Sequence, residues 1–413
     1  MEPNNPQGSE PGKKLGRNVY LMGFTSFFTD VSSEMVYPLI QAFVTMVLSA
    51  NKALVGPVLG IMEGIAESTA SLLRVVVGYQ SDRMQNRKIP AIAGYGLSMF
   101  GKFLLFLATF GWAFVLASRF IDRIGKGVRT APRDALIAES TPKELRGKAY
   151  GLHRMMDFGG AFLGVLICYF LTLKYMDPVT KTIVDFQSFY ILFAVSIVPA
   201  IIGLAVLFLV KEKHLPVDGK KPKPNLDIRK YERGLRFFFL AQFLFTIGNS
   251  SNQFLLLRSR DLGLALSTVI LMYMVFNFCA SALSTFFGSL SDKIGRRKVL
   301  VAGYALYAVV YGAFGFVTED AKQLLWGFWI LYSVYYAMTE GVEKALVADM
   351  ADPASKGTAL GFYQTIVGLT LLPASIIAGF LFSWSPRAPF LFGALMSVLS
   401  IIVLLGFVRD KKA

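Results

Sequence analysis

The sequence predicts an all-α integral membrane protein: twelve transmembrane helices in two pseudo-twofold-related six-helix bundles, with both termini cytoplasmic. Three observations predict it. Of 413 residues 54% are hydrophobic and 17% charged, with a mean hydropathy of +0.53, a balance suited to lipid rather than water. Apolar stretches of about 20 residues, enough to cross ~30 Å of hydrocarbon as a helix, can be drawn twelve times. Segments also recur at a fixed spacing of 210 residues: Gly78, Asp82, Arg83, Arg87 and Lys88 return as Gly288, Asp292, Lys293, Arg297 and Lys298, and Ala135-Leu-Ile-Ala138-Glu139 as Ala345-Leu-Val-Ala348-Asp349.

A polar tail, 1–17, lacks the apolar core and cleavage site of a secretory signal, so the first span is expected to be an uncleaved anchor. The N-terminal bundle, 18–210, holds spans at 18–40, 53–78, 89–110, 112–138, 149–174 and 187–210. A cytoplasmic linker follows at 211–234, rich in lysine and carrying Pro216, Pro222 and Pro224. The C-terminal bundle, 235–408, holds spans at 235–258, 266–288, 298–317, 323–350, 358–383 and 387–408, and a short cytoplasmic tail, 409–413, ends the chain.

The net charge of +15 does not call for nucleic acid. Lys and Arg concentrate in the tails, the linker and every second loop, which places those segments in the cytoplasm by the positive-inside rule. Cys168 and Cys279 both fall within spans and form no CxxC, so neither a zinc site nor a disulfide framework is expected. No phosphate loop, HExxH or GxSxG is present, and no enzyme activity, cofactor or resident metal is expected.

Charge at bilayer depth is costly and marks candidate function. The fourth span carries Arg119, Asp122, Arg123, Lys126, Arg129, Arg133 and Asp134, which at 100° per residue fall within an arc of roughly 140°. One face of this helix is therefore expected to line an aqueous cavity. The first span sets Ser26, Asp30, Ser33, Glu34, Tyr37 and Gln41 on one face, and the second does the same with Glu63, Glu67 and Arg74. In the fifth, His153 and Asp157 are four apart, above a small-residue seam at Gly160 and Gly164. Asp30, Glu34, Glu63, Glu67, His153 and Asp157 are the candidate proton-coupling residues, because a carboxylate shielded from water, or a histidine, can exchange protons near neutrality. Candidate substrate contacts are Tyr37, Arg119, Asp122, Arg123, Lys126 and Arg129. From the C-terminal half they are Asn249 and Gln253 in the seventh span and Tyr332, Tyr336 and Glu340 in the tenth, where Trp329 and the two tyrosines stand 210 residues after Arg119, Asp122 and Lys126. An aromatic wall facing a cationic one would suit a partly apolar solute with a charged group.

The loop pattern Gly-x-x-x-Asp-Arg/Lys-x-x-x-Arg-Lys after the second helix of each half resembles the major facilitator superfamily, over about residues 18–408. The second copy fits the family's G-x-L-x-D-R/K-x-G-R-R/K-K at every position, whereas the first has Gln80, Gln85 and Asn86. The resemblance implies gating roles for Gly78, Asp82, Arg83 and Arg87 and for Gly288, Asp292, Lys293, Arg296 and Arg297. In the family's drug-antiporter branch an Arg precedes a Gly by four in helix 4. Arg123 with Gly127 meets that spacing, while distance to the following loop points to Arg119, and the choice stays open. That branch has Gly-Pro in helix 5, where this chain has Gly164-Val165. Phe28 to Pro38 and Asp122 to Asp134 also look like a bacterial permease branch with some members tied to metal resistance.

The expected activity is secondary transport of a small anionic or zwitterionic amphiphile across the plasma membrane, the bacterial inner membrane. It would proceed by alternating access, coupled to protons, in the direction of efflux, with the protein a monomer that has no nucleic-acid partner. The alternatives are a metal or metal-chelate exporter and a non-transporting receptor or lipid-handling relative of the fold.

Overall fold

The computed structural model describes residues 15–84, 87–141, 146–212, 228–351 and 356–408, and among them it contains helices and no strand. In the first half the helices are α1 (Arg17–Val36), α2 (Ile40–Val47), α3 (Val55–Met84), α4 (Lys88–Phe103), α5 (Trp112–Glu139), α6 (Arg146–Tyr175) and α7 (Phe186–Phe208). In the second they are α8 (Arg233–Gly248), α9 (Gln253–Asp261), α10 (Leu266–Ile294), α11 (Arg296–Phe316), α12 (Leu325–Met350), α13 (Lys356–Trp384) and α14 (Ala388–Phe407).

Two predicted spans are interrupted, and at matching places. The first breaks at a 3-10 turn, Tyr37–Leu39, because Pro38 supplies no N–H to the helical ladder. The seventh breaks at Asn249–Asn252, an Asn-Ser-Ser-Asn run whose short polar side chains compete with the backbone for hydrogen bonds. The breaks meet: Gln253 Nε2 donates to the Tyr37 carbonyl at 2.8 Å, and the Tyr37 and Ser251 hydroxyls lie 3.4 Å apart. The two halves of the chain are thus joined where their helices break.

Among the described residues, seven helical segments, lying in α4, α6, α7, α10, α11, α13 and α14, are each long and apolar enough to cross a membrane on their own. Of the others, α8 is only 16 residues long. The remaining long ones, α1, α3, α5 and α12, carry the charged residues singled out above. Outward-facing Phe110, Phe170, Val309, Phe316 and Trp384 are each more than 60% exposed, an apolar surface that belongs against hydrocarbon.

Helices α1 to α7 pack among themselves, as do α8 to α14, and the two groups meet along α3 with α13 and along α6 with α10. The α3–α13 seam is the closer. Gly56, Gly60 and Gly64 recur every fourth residue, one small face of α3, and this face lies against the α13 backbone. A Cβ on Gly56 would stand 2.5 Å from the Gly379 carbonyl oxygen, and one on Gly379 would stand 2.5 Å from that of Gly56. The seam lies at the far end of the molecule, away from the N-terminus, the linker and the end of α14. Ser383 adds a hydrogen bond to the Ala53 carbonyl there. A Cβ on Gly151, Gly288 or Gly361 would meet nothing within 4 Å. Gly160 and Gly164 of α6 lie against the backbone of α1 at Phe27 and Val31, as a small-residue seam requires.

Candidate functional site

Between α1 and α5 lies a narrow cleft of about 20 Å³, lined by Asp30, Ser33, Glu34 and Tyr37 from the first helix and its turn. From α5 come Arg119, Asp122, Arg123, Lys126 and Arg129. The polar stripe of α5 faces this cleft, and behind it Gly94 and Gly125 let α4 approach α5.

Most of the cations have partners. Arg119 Nη2 donates to Glu63 Oε1 at 2.9 Å, with only 6% and 1% of the two side chains exposed. The other oxygen of Glu63 accepts from Ser251 at 3.1 Å, which ties the pair to the second half of the chain. The Arg119 guanidinium lies 5.2 Å from the Tyr37 ring centroid, and Tyr37 stacks on Tyr273 of α10 at 5.5 Å. Tyr273 in turn donates to Glu34 Oε2 at 3.1 Å. Arg123 pairs with Glu67 at 3.1 Å. Arg129 reaches no carboxylate among the described residues but bonds Ser98 and covers the Tyr95 ring at 4.6 Å, and Lys102 Nζ donates to Ser33 at 3.2 Å. Three side chains on the cleft wall, those of Asp30, Asp122 and Lys126, make neither a hydrogen bond nor an ion pair among the described residues.

His153 and Asp157 lie outside this cleft, in a neighbouring cluster. His153 Nδ1 is 3.4 Å from Asp157 Oδ2, and its Nε2 is 2.9 Å from the Ser26 hydroxyl, which also meets Tyr95 at 2.9 Å. Arg133 joins the cluster through Ser26 at 3.3 Å and Asp157 at 4.0 Å.

The predicted substrate contacts of the second half are placed elsewhere. Trp329 and Tyr332 are fully buried in an aromatic core: the indole donates to Ser259 at 3.2 Å and the Tyr332 hydroxyl to Asn252 at 2.9 Å. Tyr336 packs edge-on against Phe276 at 5.5 Å. Asn249 donates to Tyr335 at 3.0 Å, and Gln253 holds the Tyr37 carbonyl. Glu340 pairs with Arg154 of α6 at 3.1 Å, the one ion pair among the described residues that joins the two groups of helices.

Of the predicted gating residues, Gly78 and the side chains of Asp82 and Arg83 lie outside the described residues. Arg87 pairs with Glu139 at 3.3 Å and its N–H reaches Glu212. In the second copy Gly295 has φ +102°, a left-handed turn that suits glycine and joins α10 to α11. Arg296 bridges Asp292, at 2.9 Å, and Asp349, while Arg297 caps the α14 carbonyls of Leu404 at 3.0 Å and Leu405 at 2.6 Å. Lys293 is exposed, and Gly288 has open space beside it. Sequence reasoning missed the α3 seam, although its signal, glycine at 56, 60 and 64, stands in the sequence.

Two groups of apolar helices, one enclosing a charged cleft that the other reaches through Ser251 and Tyr273, define a polytopic carrier. The chain belongs to the Major Facilitator Superfamily, whose profile matches residues 22–250 and 238–413. It is a multi-pass plasma-membrane transporter rather than an enzyme, of a family that moves small molecules across the bilayer. It is 37% identical to the MFS-type transporter MJ1317 of Methanocaldococcus jannaschii over 413 residues, 98% of each chain. It is 27% identical to the quinolone resistance protein NorA of Staphylococcus aureus over 157 residues, 37% of this chain and 39% of NorA. Its fold resembles the crystal structure of a D-xylose–proton symporter, with a TM-score of 0.75, 16% identity, and 95% of this chain and 97% of that one covered.

Proposed function

We propose that the protein is a proton-coupled exporter of a small charged solute that works by alternating access. In this reading its helices form twelve spans in two bundles, 18–210 and 235–408, both termini are cytoplasmic, and the far end of the molecule is extracellular. The conformation is then closed outside by the α3–α13 seam. The observation that carries the reading is the charged cleft enclosed between α1 and α5, fastened to the second half through Glu63–Ser251 and Glu34–Tyr273. Such links can transmit occupancy of one half to the other. The proton-linked carboxylates are Asp30 and Glu34, which line the cleft, with Asp157 beside His153 in the adjoining cluster. Similarity to NorA over 157 residues, 37% of this chain, supports export; the 16% identity to a proton symporter supports the fold alone.

The test is proteoliposomes loaded with a pH-sensitive dye. Wild-type protein is expected to move protons against an imposed solute gradient, and Asp30→Asn and Glu34→Gln are expected to abolish that flux while inserting normally. Gradient-driven proton flux at the wild-type rate in both variants would falsify the assignment.

A further inference from the structure

We infer that a groove at the start of α8 holds an anionic phospholipid, its phosphate between Arg233 and Arg236 and its chains along Leu240 and Phe243. The inference goes beyond the transport reading and takes from it only the side of the membrane: with the linker in the cytoplasm, the groove opens on the inner leaflet.

Shape and polarity come first. The groove has a volume of about 390 Å³ and is lined by Arg233, Arg236, Phe237 and Leu240, within the roughly 300 to 1,000 Å³ of ligand sites. The lining positions are spaced i, i+3, i+4 and i+7, which is one face of the helix. This face changes character along its length. Both arginines are exposed at its polar end, and beyond Phe237 come Leu240 and Phe243, 44% and 43% exposed, on the hydrocarbon side. Phe237 stacks on Phe407 of α14 at 4.3 Å, so one wall is a ring pair shared by two helices. A cationic rim that continues into an outward apolar track is the complement of an amphiphile with a negative head. Basic pockets at the cytoplasmic ends of membrane helices take such headgroups.

The rim is also unpaired and oriented. Neither arginine forms an ion pair among the described residues, whereas Arg119, Arg123, Arg258 and Arg296 all do. Glu232, the nearest acid in sequence, has a partner of its own. Arg236 Nε donates to the Tyr231 carbonyl at 2.7 Å, which holds the side chain and leaves both Nη groups for a ligand. The Arg233 guanidinium lies 5.7 Å from the Phe237 ring centroid. A guanidinium stacks on a ring and grips a phosphate with two parallel N–H donors, which an ammonium cannot do. A soluble anion would use the rim and leave the apolar track bare, whereas a lipid reaches both.

The experiment is native mass spectrometry of the full-length protein in a neutral detergent, titrated with phosphatidylglycerol, with phosphatidylcholine of the same chains, and with glycerol phosphate. Wild-type protein is expected to bind one phosphatidylglycerol about fivefold or more tightly than phosphatidylcholine, and glycerol phosphate more weakly than either. Arg233→Gln and Arg236→Gln are each expected to weaken phosphatidylglycerol about fivefold, the worth of one basic residue at an anionic surface, and the double variant is expected to weaken it further. Lys293→Gln, which removes an exposed charge from the end of α10, outside the groove, is expected to change it by less than about twofold. The inference is overturned if the two lipids bind alike, if the double variant binds like the wild type, if Lys293→Gln weakens binding as much as either arginine variant, or if glycerol phosphate binds as tightly as phosphatidylglycerol. None of these readouts involves a gradient. Absence of proton flux would therefore refute the coupling reading and leave this inference standing, and equal binding of the two lipids would do the reverse.

Discussion

Adding one methyl group at the α3–α13 seam should turn the carrier toward its opposite conformation. In Gly56→Ala the new Cβ would stand 2.5 Å from the Gly379 carbonyl oxygen, where real Cβ contacts essentially never fall below 3.0 Å. The obstacle is backbone on both sides, so no side chain can swing clear. The helices must separate by about half an ångström or more, and Gly60 and Gly64, on the same face, lose their contacts with α13 in the process. Overpacking of this kind costs ~1–3 kcal/mol. The cost falls only on the conformation in which the seam is closed, so it is a differential free energy and shifts the equilibrium between conformations by roughly 5- to 150-fold. Alanine is also the better helix former by about 1 kcal/mol, but that gain applies to both conformations and cancels.

The assay is cross-linking at the two ends of the molecule. Ala53 and Ser383, both exposed and hydrogen-bonded at the far end, become a cysteine pair in a background lacking Cys168 and Cys279. Arg154 and Glu340, paired at the terminal end, become another. Gly56→Ala is expected to lower the far-end yield and raise the terminal-end yield. Gly361→Ala, which meets open space in α13, should change neither. Equal far-end yields in Gly56→Ala and Gly361→Ala would show that the seam is not the closed gate. A fall at both ends together would show misfolding instead of a population shift.

Two further outcomes follow from single residues. Glu63→Gln strands the Arg119 guanidinium in a site where neither side chain is more than 6% exposed; breaking a buried pair costs ~3–5 kcal/mol, so melting temperature should fall sharply and should recover in Glu63→Gln/Arg119→Met, and an unchanged melting temperature in the single variant refutes the pairing. In the loop after α6, Asp177 accepts from the Thr180 N–H at 2.6 Å, the Thr180 hydroxyl at 2.8 Å and the Val179 N–H at 3.1 Å. The Thr180 bonds hold its carboxyl below the ordinary value of 3.8. Because the folded value is the lower one, this stabilisation is present above the unfolded value and is lost as pH falls through the folded one. Thr180→Val should raise the Asp177 midpoint in a carboxyl-carbon NMR titration, and an unmoved midpoint would count against these bonds as the cause.

The spans were legible because apolar runs are local. The stretch 112–138 appears as Trp112–Glu139 and 358–383 as Lys356–Trp384. The break at Tyr37–Leu39 was foreshadowed by Pro38, and the one at Asn249–Asn252 by four consecutive polar residues. Reading both stretches as uninterrupted spans put hydropathy ahead of turn chemistry. The polar stripe of α5 was legible from period alone, but its net effect was not. Which cations are neutralised depends on Glu63 and Glu67, more than 50 residues away in sequence, and no helical wheel contains that information. The burial of Trp329 and Tyr332, expected to form an aromatic wall, was hidden for a related reason. Aromatic residues occupy several faces of α12, and only packing against Phe276, Tyr307 and Tyr311 decides which face is core.

The duplicated module explains why charge could gather in one half without loss of the architecture. In the first half Ser26 of α1, Tyr95 of α4, Arg133 of α5 and His153 of α6 form one hydrogen-bonded brace. In the second, Gln242 of α8, Tyr304 of α11, Glu343 of α12 and Tyr363 of α13 form its counterpart. Tyr304 lies 2.9 Å from Gln242 Oε1 and 2.8 Å from Glu343, and Tyr363 donates to Glu343 at 2.6 Å. Arg133 and Glu343, like His153 and Tyr363, are 210 residues apart. The same four helices are tied in each half, and the central charge has changed sign between them. A buried brace tolerates such inversion only when its partners change with it, because an unpaired charge there costs more than the brace contributes. Each half is thereby stiffened from within, and relative motion is directed to the surfaces that no brace crosses: the glycine seam of α3 with α13 and the looser contact of α6 with α10.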